Sequence, residues 1–201
     1  MTPLTPIPDD LMPAAIALWR LHFGPRGAGE ASPGHGLVVL DDAGGLAGVM
    51  GLRDANGGFW RPHRPGLLAW LYRAGPDSRD LVIDGVAAAR PGQGAGRALV
   101  TAALSTARLR GYPGLRAEVR QDNRTAVAFY RALGFVETGR GRLGLPWDGM
   151  VLILRLPAHA NITVHQPDKV TGISMTDVGT IAPDGSVAAS SLAEATCDAA
   201  Q

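Results

Sequence analysis

Cysteine is nearly absent from this 201-residue chain, and long apolar runs are absent altogether. The one cysteine, Cys197, excludes an intrachain disulfide and a zinc site built from cysteines, so we expect a protein of the reducing cytoplasm. No stretch approaches the roughly 20 apolar residues that a membrane-spanning helix needs. The first ten residues, MTPLTPIPDD, lack the basic segment and apolar run of a signal peptide. These absences predict that a membrane is not a partner.

Charge of one sign is also scarce, because the formal net charge is +1. This balance gives no reason to expect a nucleic-acid partner, which usually needs a strong positive field. The average conceals a break: residues 1–157 hold all eighteen arginines and thirteen acidic residues, whereas residues 158–201 hold five acidic residues and the only lysine, Lys169. The two parts therefore carry +5 and −4. We predict a globular domain over 1–157 and a C-terminal tail over 158–201.

Apolar periodicity and turn residues predict an α/β domain of the α+β, mixed-sheet type. Asp9 or Asp10 caps a first helix, whose predicted apolar face holds Leu11, Ala15, Leu18 and Leu21 or His22. This helix should end near Gly24-Pro25, and the Gly- and Pro-rich stretch 24–36 is predicted to be a loop. A hairpin turning at 41–45 follows. Within residues 53–80, the segment 54–65 is predicted to be loop-like, and 67–73 is compatible with a strand or a short helix.

The second half of the chain predicts alternating strands and helices. They cover residues 81–89, 97–110, 115–120, 123–133, 135–137 and 150–156. A strand–helix–strand unit implies parallel neighbours joined by a right-handed crossover. We therefore expect a central mixed sheet of about six or seven strands with helices on its faces.

Glycines at alternate positions mark the turn between the strand at 81–89 and the next helix, in the segment ARPGQGAGRAL over residues 89–99. Such a turn presents backbone N–H groups at the positive end of a helix, and the missing side chains let an anion approach closely. A phosphate group is the expected ligand. A tight turn without any ligand is the alternative.

This turn departs from two other glycine-containing motifs that bind phosphate groups. A Walker loop is excluded because Gly96 is followed by Arg97 and Ala98 instead of Lys and Ser or Thr. A dinucleotide fingerprint lacks its third glycine, since Arg97 or Leu99 stands at that position. Glu118 lies at a suitable distance to bind a ribose, so a nucleotide-linked oxidoreductase stays as a lesser alternative.

A second informative segment, QDNRTAVAFYRALGF, begins at Gln121. Together the two segments resemble the GCN5-related N-acetyltransferase superfamily. Gly94 and Gly96 match the two glycines of its coenzyme motif, although Pro91 occupies the position of the motif's Gln or Arg, with Arg90 and Gln93 nearby. The second segment matches at Asn123, Ala126, Phe129, Tyr130, Leu133, Gly134 and Phe135.

The resemblance implies that acetyl-CoA, or another acyl-CoA, is the co-substrate and that no metal takes part. Its pyrophosphate would contact the turn residues Gly92, Gln93, Gly94, Ala95, Gly96 and Arg97. In this superfamily the pantetheine arm lies between two strands that diverge, next to the residues that correspond to Val86, Ala87 and Asn123. The backbone N–H of Val86 or Ala87 would polarise the thioester carbonyl.

The resemblance also assigns the proton transfers. Tyr130 is the expected general acid for the departing thiolate, because a phenol keeps its proton at neutral pH. Asp80 and Asp84 are the candidate general bases, and the sequence does not separate them. Weaker candidates are Glu118, His22, His35 and His63. The implied reaction is the acylation of a primary amine by direct attack in a ternary complex, and the alternative is a non-catalytic acyl-CoA-binding module.

The acceptor, a small-molecule or peptide amine, is expected to bind to the first helix and to residues 53–80 and 138–149. The aromatic residues there are Trp60, Trp70, Tyr72 and Trp147, and the arginines are residues 61, 64, 73, 140 and 142. Each set is equally compatible with core packing or a solvated surface. A homodimer is compatible with the sequence, and modification of Lys169 within the tail is a further hypothesis.

Overall fold

The computed structural model describes residues 1–23, 29–62, 69–144, 146–147, 149–160 and 162. The predictions for Gly24-Pro25, His63, Arg64 and Lys169 lie outside these residues. The helices are α1 (Met12–Phe23), α2 (Ala95–Leu109) and α3 (Arg124–Ala132). The strands are β1 (Thr2–Leu4), β2 (Gly29–Ala31), β3 (Gly36–Leu40), β4 (Leu46–Asp54), β5 (Gly57–Gly58), β6 (Trp60–Pro62), β7 (Leu81–Ala88), β8 (Gly114–Arg120), β9 (Val136–Gly141) and β10 (Val151–Pro157).

One large sheet organises the described chain, with strand order β1-β3-β4-β7-β8-β10-β9 and β5 paired to β4. Only β7 and β8 run parallel among its described pairs, and α2 makes the crossover between them. The remaining pairs are antiparallel, and β2 and β6 form a separate two-stranded sheet. The predicted mixed sheet flanked by helices is therefore confirmed.

The two faces of the sheet differ in chemistry. One face is apolar and is covered by α2 and α3, and its cluster includes Leu99, Leu115 and Tyr130. The opposite face is apolar only beneath α1, where Trp19 and Phe59 are buried. Beyond α1 the same face carries charged side chains from β4, β7, β8 and β10. A layer of apolar side chains on one face and charges on part of the other favours a solvent-accessible site there.

Helix α1 buries a stripe that only partly overlaps the predicted one, with Leu11 and Leu18 partly buried against the same cluster. Its buried residues are Ala15, Trp19 and Phe23, whereas Leu21 is 79% exposed. The rings of Trp19 and Phe23 have centroids 4.2 Å apart, and aromatic contacts of this size decide which helix face turns inward. In the described chain neither the Asp9 nor the Asp10 carboxylate accepts a hydrogen bond at this N-terminus, where Met12 N–H is shared by the backbone carbonyls of Pro8 and Asp9, so the predicted side-chain cap is wrong.

Three other predictions about elements also need correction, and one strand was not predicted. The proline-rich N-terminus contributes β1, which pairs with β3 at the sheet edge. The stretch predicted as a loop contains β2 and a 3-10 turn at Pro33–His35. The last but one strand extends to Gly141 instead of ending at residue 137. The segment 54–65, predicted to be loop-like, contains β5 and β6. The open choice at 67–73 resolves into a 3-10 turn at Ala69–Leu71. None of the described helices has the length and apolar character of a membrane span.

The chain stays attached to the domain beyond residue 157. The guanidinium of Arg108, near the end of α2, donates to the carbonyl oxygens of Ala158 and Ala160, both at 2.5 Å. Ala160 and Ile162 also pack against the larger core cluster. These contacts place the last attachment of the described domain about five residues after the predicted boundary.

Candidate active site

The glycine turn has an open backbone at the end of β7. Gly92 and Gly94 have φ angles of +77° and +85°, a left-handed conformation that suits glycine, and Gly94 is the N-cap of α2. A Cβ added at either position would have no atom within 4 Å. In the described structure the N–H groups of Gly92, Gln93 and Gly94 donate to no protein acceptor. The first N–H groups of α2, starting at Ala95, are also free of intrahelical partners by geometry.

The charge of this turn favours an anion. No acidic residue lies in the first turn of α2, and the N-cap makes no side-chain hydrogen bond. No described side chain of the cap or first turn therefore compensates the positive end of the helix dipole. Gly96 is buried within the first turn, and Arg97 is half-buried beside it. A diphosphate is the kind of ligand that matches several backbone donors and a helix N-terminus.

Strands β7 and β8 separate next to this turn. Their pairing covers only three residue pairs and ends at Ile83 and Ala117. On its other side β7 stays paired with β4 as far as Ala88. Val86 and Ala87 therefore lie in the separated part, and one edge of their backbone faces the gap. Unpaired strand edges present N–H and C=O groups, which suits an extended amide-containing ligand.

Asn123 supplies a side-chain donor at the same edge of the sheet. Because β7 and β8 are parallel, the helices that follow them both begin at this edge. The Asn123 side-chain oxygen accepts a hydrogen bond from Ala126 N–H at 2.9 Å and caps α3. Its amide nitrogen is buried and has no partner in the described structure. A buried donor without a partner is costly, so this nitrogen is fitted for a ligand carbonyl.

Tyr130 lies in the apolar cluster under α3. It is 2% exposed, and its ring makes edge-on contacts with Phe129 and Phe135 at centroid distances of 5.1 and 5.0 Å. Burial raises the pKa of Tyr130, so its proton is retained throughout the neutral range. Its hydroxyl has no hydrogen-bond partner among the residues described. The environment is that of a neutral phenol with an unused donor.

Asp84 and Glu118 lie together on the charged face, where β7 and β8 begin to separate. Asp84 is the extra residue of a β-bulge opposite β4. Arg53 Nε lies 2.8 Å from the Asp84 carboxylate and its terminal nitrogen lies 3.8 Å from Glu118, which also contacts Arg116 at 2.6 Å. These four side chains form the charged cluster, with two carboxylates and two guanidiniums. Burial alone lowers the pKa of Arg53, but the nearby charges, Asp84 first, outweigh this effect and raise it.

Glu118 therefore has a more prominent place than the sequence suggested. The signal was present in β8, where Arg116, Glu118 and Arg120 alternate with Leu115, Ala117 and Val119. Such alternation predicts one polar face. It does not reveal which neighbouring strand supplies the partner.

Asp80 occupies the other end of β7. It is buried, and Arg155 binds both of its oxygens at 2.7 and 2.9 Å. Ser78 contributes a further contact, since its hydroxyl accepts from the Asp80 N–H at 3.0 Å. Four residues along a strand separate Asp80 from Asp84 by about 13 Å. A carboxylate held in this way is poorly placed to accept a proton, and its candidacy as base stays a prediction.

The two described histidine candidates, His35 and His22, lie in different parts of the structure. His35 contacts Asp54 at 3.1 Å and Ser32 at 3.0 Å, and Tyr112 donates to the other Asp54 oxygen at 2.7 Å, all away from the glycine turn. His22 lies close to the backbone of Ala88, at the end of β7. Burial lowers its pKa and the contact with Ala88 partly offsets this, so the imidazole is neutral at pH 7. No described group of three or more His, Cys, Asp or Glu side chains is arranged to hold a metal ion.

Two of the three predicted acceptor segments, 53–80 and 138–149, are joined in the described structure. Arg73 and Gly144 form an isolated antiparallel bridge, with both N–H to oxygen distances at 2.8 Å. Trp60 lies elsewhere, with the Arg20 guanidinium 5.1 Å from its ring centroid. Arg140 is paired with Glu137 at 2.6 Å. Arg61 donates to a loop carbonyl, and Arg142 is exposed.

Open backbone donors, an edge gap between two strands and a buried amide donor without a partner lie together at this end of the described sheet, and they suit a ligand with a diphosphate and a chain of amides. A sequence profile of the Acetyltransferase (GNAT) family matches residues 6–135. The chain belongs to this family. The site residues fit its acyl-CoA co-substrate, because the donors lie where a diphosphate and a chain of amides would meet them.

A solved structure with a TM-score above 0.5 agrees on the fold. A GCN5-related N-acetyltransferase from Kribbella flavida is 20% identical with a TM-score of 0.51, and the match covers 78% of this chain and 96% of that one. Nourseothricin acetyltransferase is 28% identical with a TM-score of 0.44, over 61% of this chain and 64% of its own. A Bacillus anthracis protein assigned as a streptothricin acetyltransferase, solved with acetyl coenzyme A, is 20% identical with a TM-score of 0.45, over 61% of each chain. The match thus spans less than two thirds of these last two proteins. No curated protein sequence matches significantly.

Proposed function

We propose that this chain moves an acetyl group, or another acyl group, from acyl-CoA to a primary amine of a small molecule or peptide by direct attack in a ternary complex. The observation that supports it most strongly is the gap between β7 and β8. It lies beside the open glycine turn and the unpartnered Asn123 amide, while a pair of carboxylates lies at its origin. Membership of the acetyltransferase family argues against the lesser alternative, a nucleotide-linked oxidoreductase.

Each chemical role has a candidate group in the described chain. The co-substrate supplies the acyl group as a thioester. The backbone N–H of Val86 or Ala87 would bind the thioester oxygen, and Asp84, with Glu118 beside it, would take the proton from the acceptor ammonium. As nitrogen bonds to the carbonyl carbon and the carbon–sulfur bond breaks, Tyr130 would donate its proton to sulfur. Its raised pKa keeps that proton available at neutral pH.

The test combines calorimetry with a thiol-release assay. Acetyl-CoA should bind the purified chain, and release of free thiol should depend on an added amine from a panel of amines, amino acids and N-terminal peptides. Binding without release for every amine would instead support a non-catalytic acyl-CoA-binding module. Absence of binding to acetyl-CoA and to CoA would overturn the proposal.

Asn123→Ser separates cofactor binding from folding. Serine keeps a side-chain oxygen that caps α3 but lacks the amide donor. We expect acetyl-CoA affinity to fall about threefold to tenfold, the effect of one hydrogen bond, with the unfolding midpoint near that of the wild type. Asn56→Ser, in an exposed turn, is the matched control and should change neither quantity. Unchanged affinity in Asn123→Ser would remove this residue from the coenzyme site.

A further inference from the structure

A cleft of about 460 Å³ lies between helix α3 and the strands at the β9 edge of the large sheet. The helix contributes four residues that recur at the three- and four-residue spacing of one helix face: Arg124, Val127, Ala128 and Arg131. Small molecules bind in clefts of roughly 300–1,000 Å³. This cleft, which we call the arginine cleft, is therefore large enough for a small organic ligand.

A β-bulge directs two charged side chains of β9 into the arginine cleft. Glu137 and Arg140 are three residues apart, so a regular strand would place them on opposite faces. The register shifts between them, and their partners are Leu154 and Leu152, two residues apart on β10. Thr138 is the extra residue. Because both leucines lie in the apolar cluster under α3, the two charged side chains share that face, and bulges that re-aim side chains are common at functional sites.

Positive charge dominates the arginine cleft. Three guanidiniums and one carboxylate line it, and three positive charges less one negative leave +2 from Arg124, Arg131, Arg140 and Glu137. The Glu137 carboxylate lies 2.6 Å from Arg140 and 3.5 Å from Arg131, so it holds these side chains beside each other. A guanidinium has five N–H donors, and both therefore keep donors for a ligand. Within the described part of the chain, the Arg124 side chain has no hydrogen bond or ion pair.

The arginine cleft is separate from the charged cluster and from the gap between β7 and β8. Leu152, which lines the cleft, is paired with Val119, and both lie in the apolar cluster. Glu118, the preceding residue of β8, therefore points to the opposite face of the sheet, as part of the charged cluster. In the strand order β7-β8-β10-β9, the cleft lies beside β10 and β9 and the gap lies beyond β8. A ligand in the cleft is thus neither the acceptor amine nor the pantetheine arm.

We propose that the arginine cleft binds a small organic phosphate monoester that is neither the co-substrate nor the acceptor. A phosphate monoester carries about 1.5 to 2 negative charges at pH 7, which matches the net charge of the cleft. Guanidiniums bind phosphate oxygens through paired hydrogen bonds. The buried side chains of Val127 and Leu152 offer apolar contacts to the organic part of the ligand.

The test is calorimetric titration of the full chain with phenyl phosphate at pH 7.5. We expect a dissociation constant below about 1 mM. Phenyl sulfate has the same ring but one charge fewer, and inorganic phosphate has no ring, so each should bind at least about fivefold more weakly. Equal binding of either probe would overturn the proposed ligand class, and so would the absence of heat from phenyl phosphate up to about 10 mM.

Arginine variants locate the binding of phenyl phosphate. Arg124→Gln and Arg131→Gln should each weaken it about tenfold, the effect of one charge-assisted hydrogen bond. Arg124→Lys keeps the charge without the paired donors and should fall in between. Arg79→Gln removes the same charge at an exposed position outside the cleft, and as the matched control it should stay within about twofold of the wild type. Equal weakening in all the glutamine variants would show a nonspecific charge effect and overturn the site.

Coenzyme A is a second source of the same chemistry, because its ribose carries a phosphate monoester. Titration with CoA and with dephospho-CoA, which lacks that group, separates the two sources. We expect Arg124→Gln and Arg131→Gln to bind both compounds as the wild type does, and phenyl phosphate to bind equally well with saturating CoA present. Weaker CoA binding in these variants, with dephospho-CoA unaffected, would assign the arginine cleft to the coenzyme and overturn the separate ligand.

Discussion

The position of the Tyr130 hydroxyl favours a catalytic role for this group over a role in core packing. The Tyr130 ring is buried while its hydroxyl has no hydrogen-bond partner in the described structure, so phenylalanine would fill the same space and lose only that hydroxyl. Tyr130→Phe should therefore lower kcat by about a hundredfold or more, the usual contribution of a general acid, while stability is unchanged or higher. Steady-state kinetics and thermal unfolding measure the two effects, and calorimetry should give unchanged acetyl-CoA affinity.

Tyr112→Phe is the matched control for this prediction. Its hydroxyl donates to Asp54 at 2.7 Å, and this bond raises the pKa of Tyr112 and helps to lower that of Asp54. Its loss should cost about 1–3 kcal/mol of stability without changing kcat. The stability difference should shrink as the pH falls below about 4, because protonated Asp54 no longer needs the donor. Equal kcat in Tyr130→Phe and Tyr112→Phe would exclude Tyr130 as the acid.

The two aspartates of β7 should respond differently to the same change. Asp84→Asn should lower kcat/KM about a hundredfold, because the carboxylate nearest the gap loses its ability to accept a proton. Asp80→Asn should instead lower the free energy of unfolding by about 1–3 kcal/mol, because it disrupts the bidentate contact with Arg155. Its kcat should stay within about threefold of the wild-type value. Kinetics and chemical denaturation of both variants decide the matter. The reverse pattern would make Asp80 the base.

These residue assignments show what a linear sequence conveys. Asn123 and Tyr130 were recognisable because their motif is local, within one helix and its cap. The pairing of Asp80 with Arg155 joins residues 75 positions apart, and no local pattern encodes it. Glu118 acquires its place only when β4, β7 and β8 lie side by side.

At the scale of elements, the glycine turn and the start of α2 carry a prediction of their own. Gly94→Ala forces a side chain into a left-handed conformation, which costs about 1–2 kcal/mol, and adds a methyl group where an anion would approach. We expect lower stability and acetyl-CoA affinity reduced about tenfold or more. Calorimetry and thermal unfolding measure both.

Gly111→Ala tests the same strain at the other end of α2. Gly111 has φ +76°, and an added Cβ there would also meet nothing within 4 Å. Its stability loss should match that of Gly94→Ala, with acetyl-CoA affinity unchanged. If both variants bind acetyl-CoA like the wild type, the turn does not hold the diphosphate.

Prediction of the elements succeeded where sequence periodicity and length agree. The strands and helices from β7 to α3 follow clear apolar patterns with glycine or asparagine at their ends. Strand β1 has only three residues including Pro3, and it exists because β3 offers a free edge. Strand β2 also depends on pairing, in this case with β6, because its glycine-containing sequence has no strand propensity of its own. Long-range pairing decides such elements.

At the scale of the whole molecule, the limit of the folded domain can be tested by truncation. A chain ending at Ile162 should be more stable than one ending at Pro157 by about 1–3 kcal/mol, because it keeps two carbonyl acceptors for Arg108 and the packing of Ala160 and Ile162. Chemical denaturation compares the two. Equal stability would place the boundary at residue 157, as composition alone predicts.

The short junction between β7 and β8 affects more than ligand access. Three residue pairs join the half of the large sheet that ends in β7 to the half that begins with β8, and α2 spans both. The domain is thus two subsheets with a narrow seam, which has the fewest paired residues of any junction between β3 and β9 along the described strand order. A coenzyme bound between the separated parts of β7 and β8 would contact both subsheets and hold them together. Acyl donor binding and resistance to thermal unfolding should therefore rise together, since a ligand that binds only the folded state stabilises it in proportion to the logarithm of its concentration.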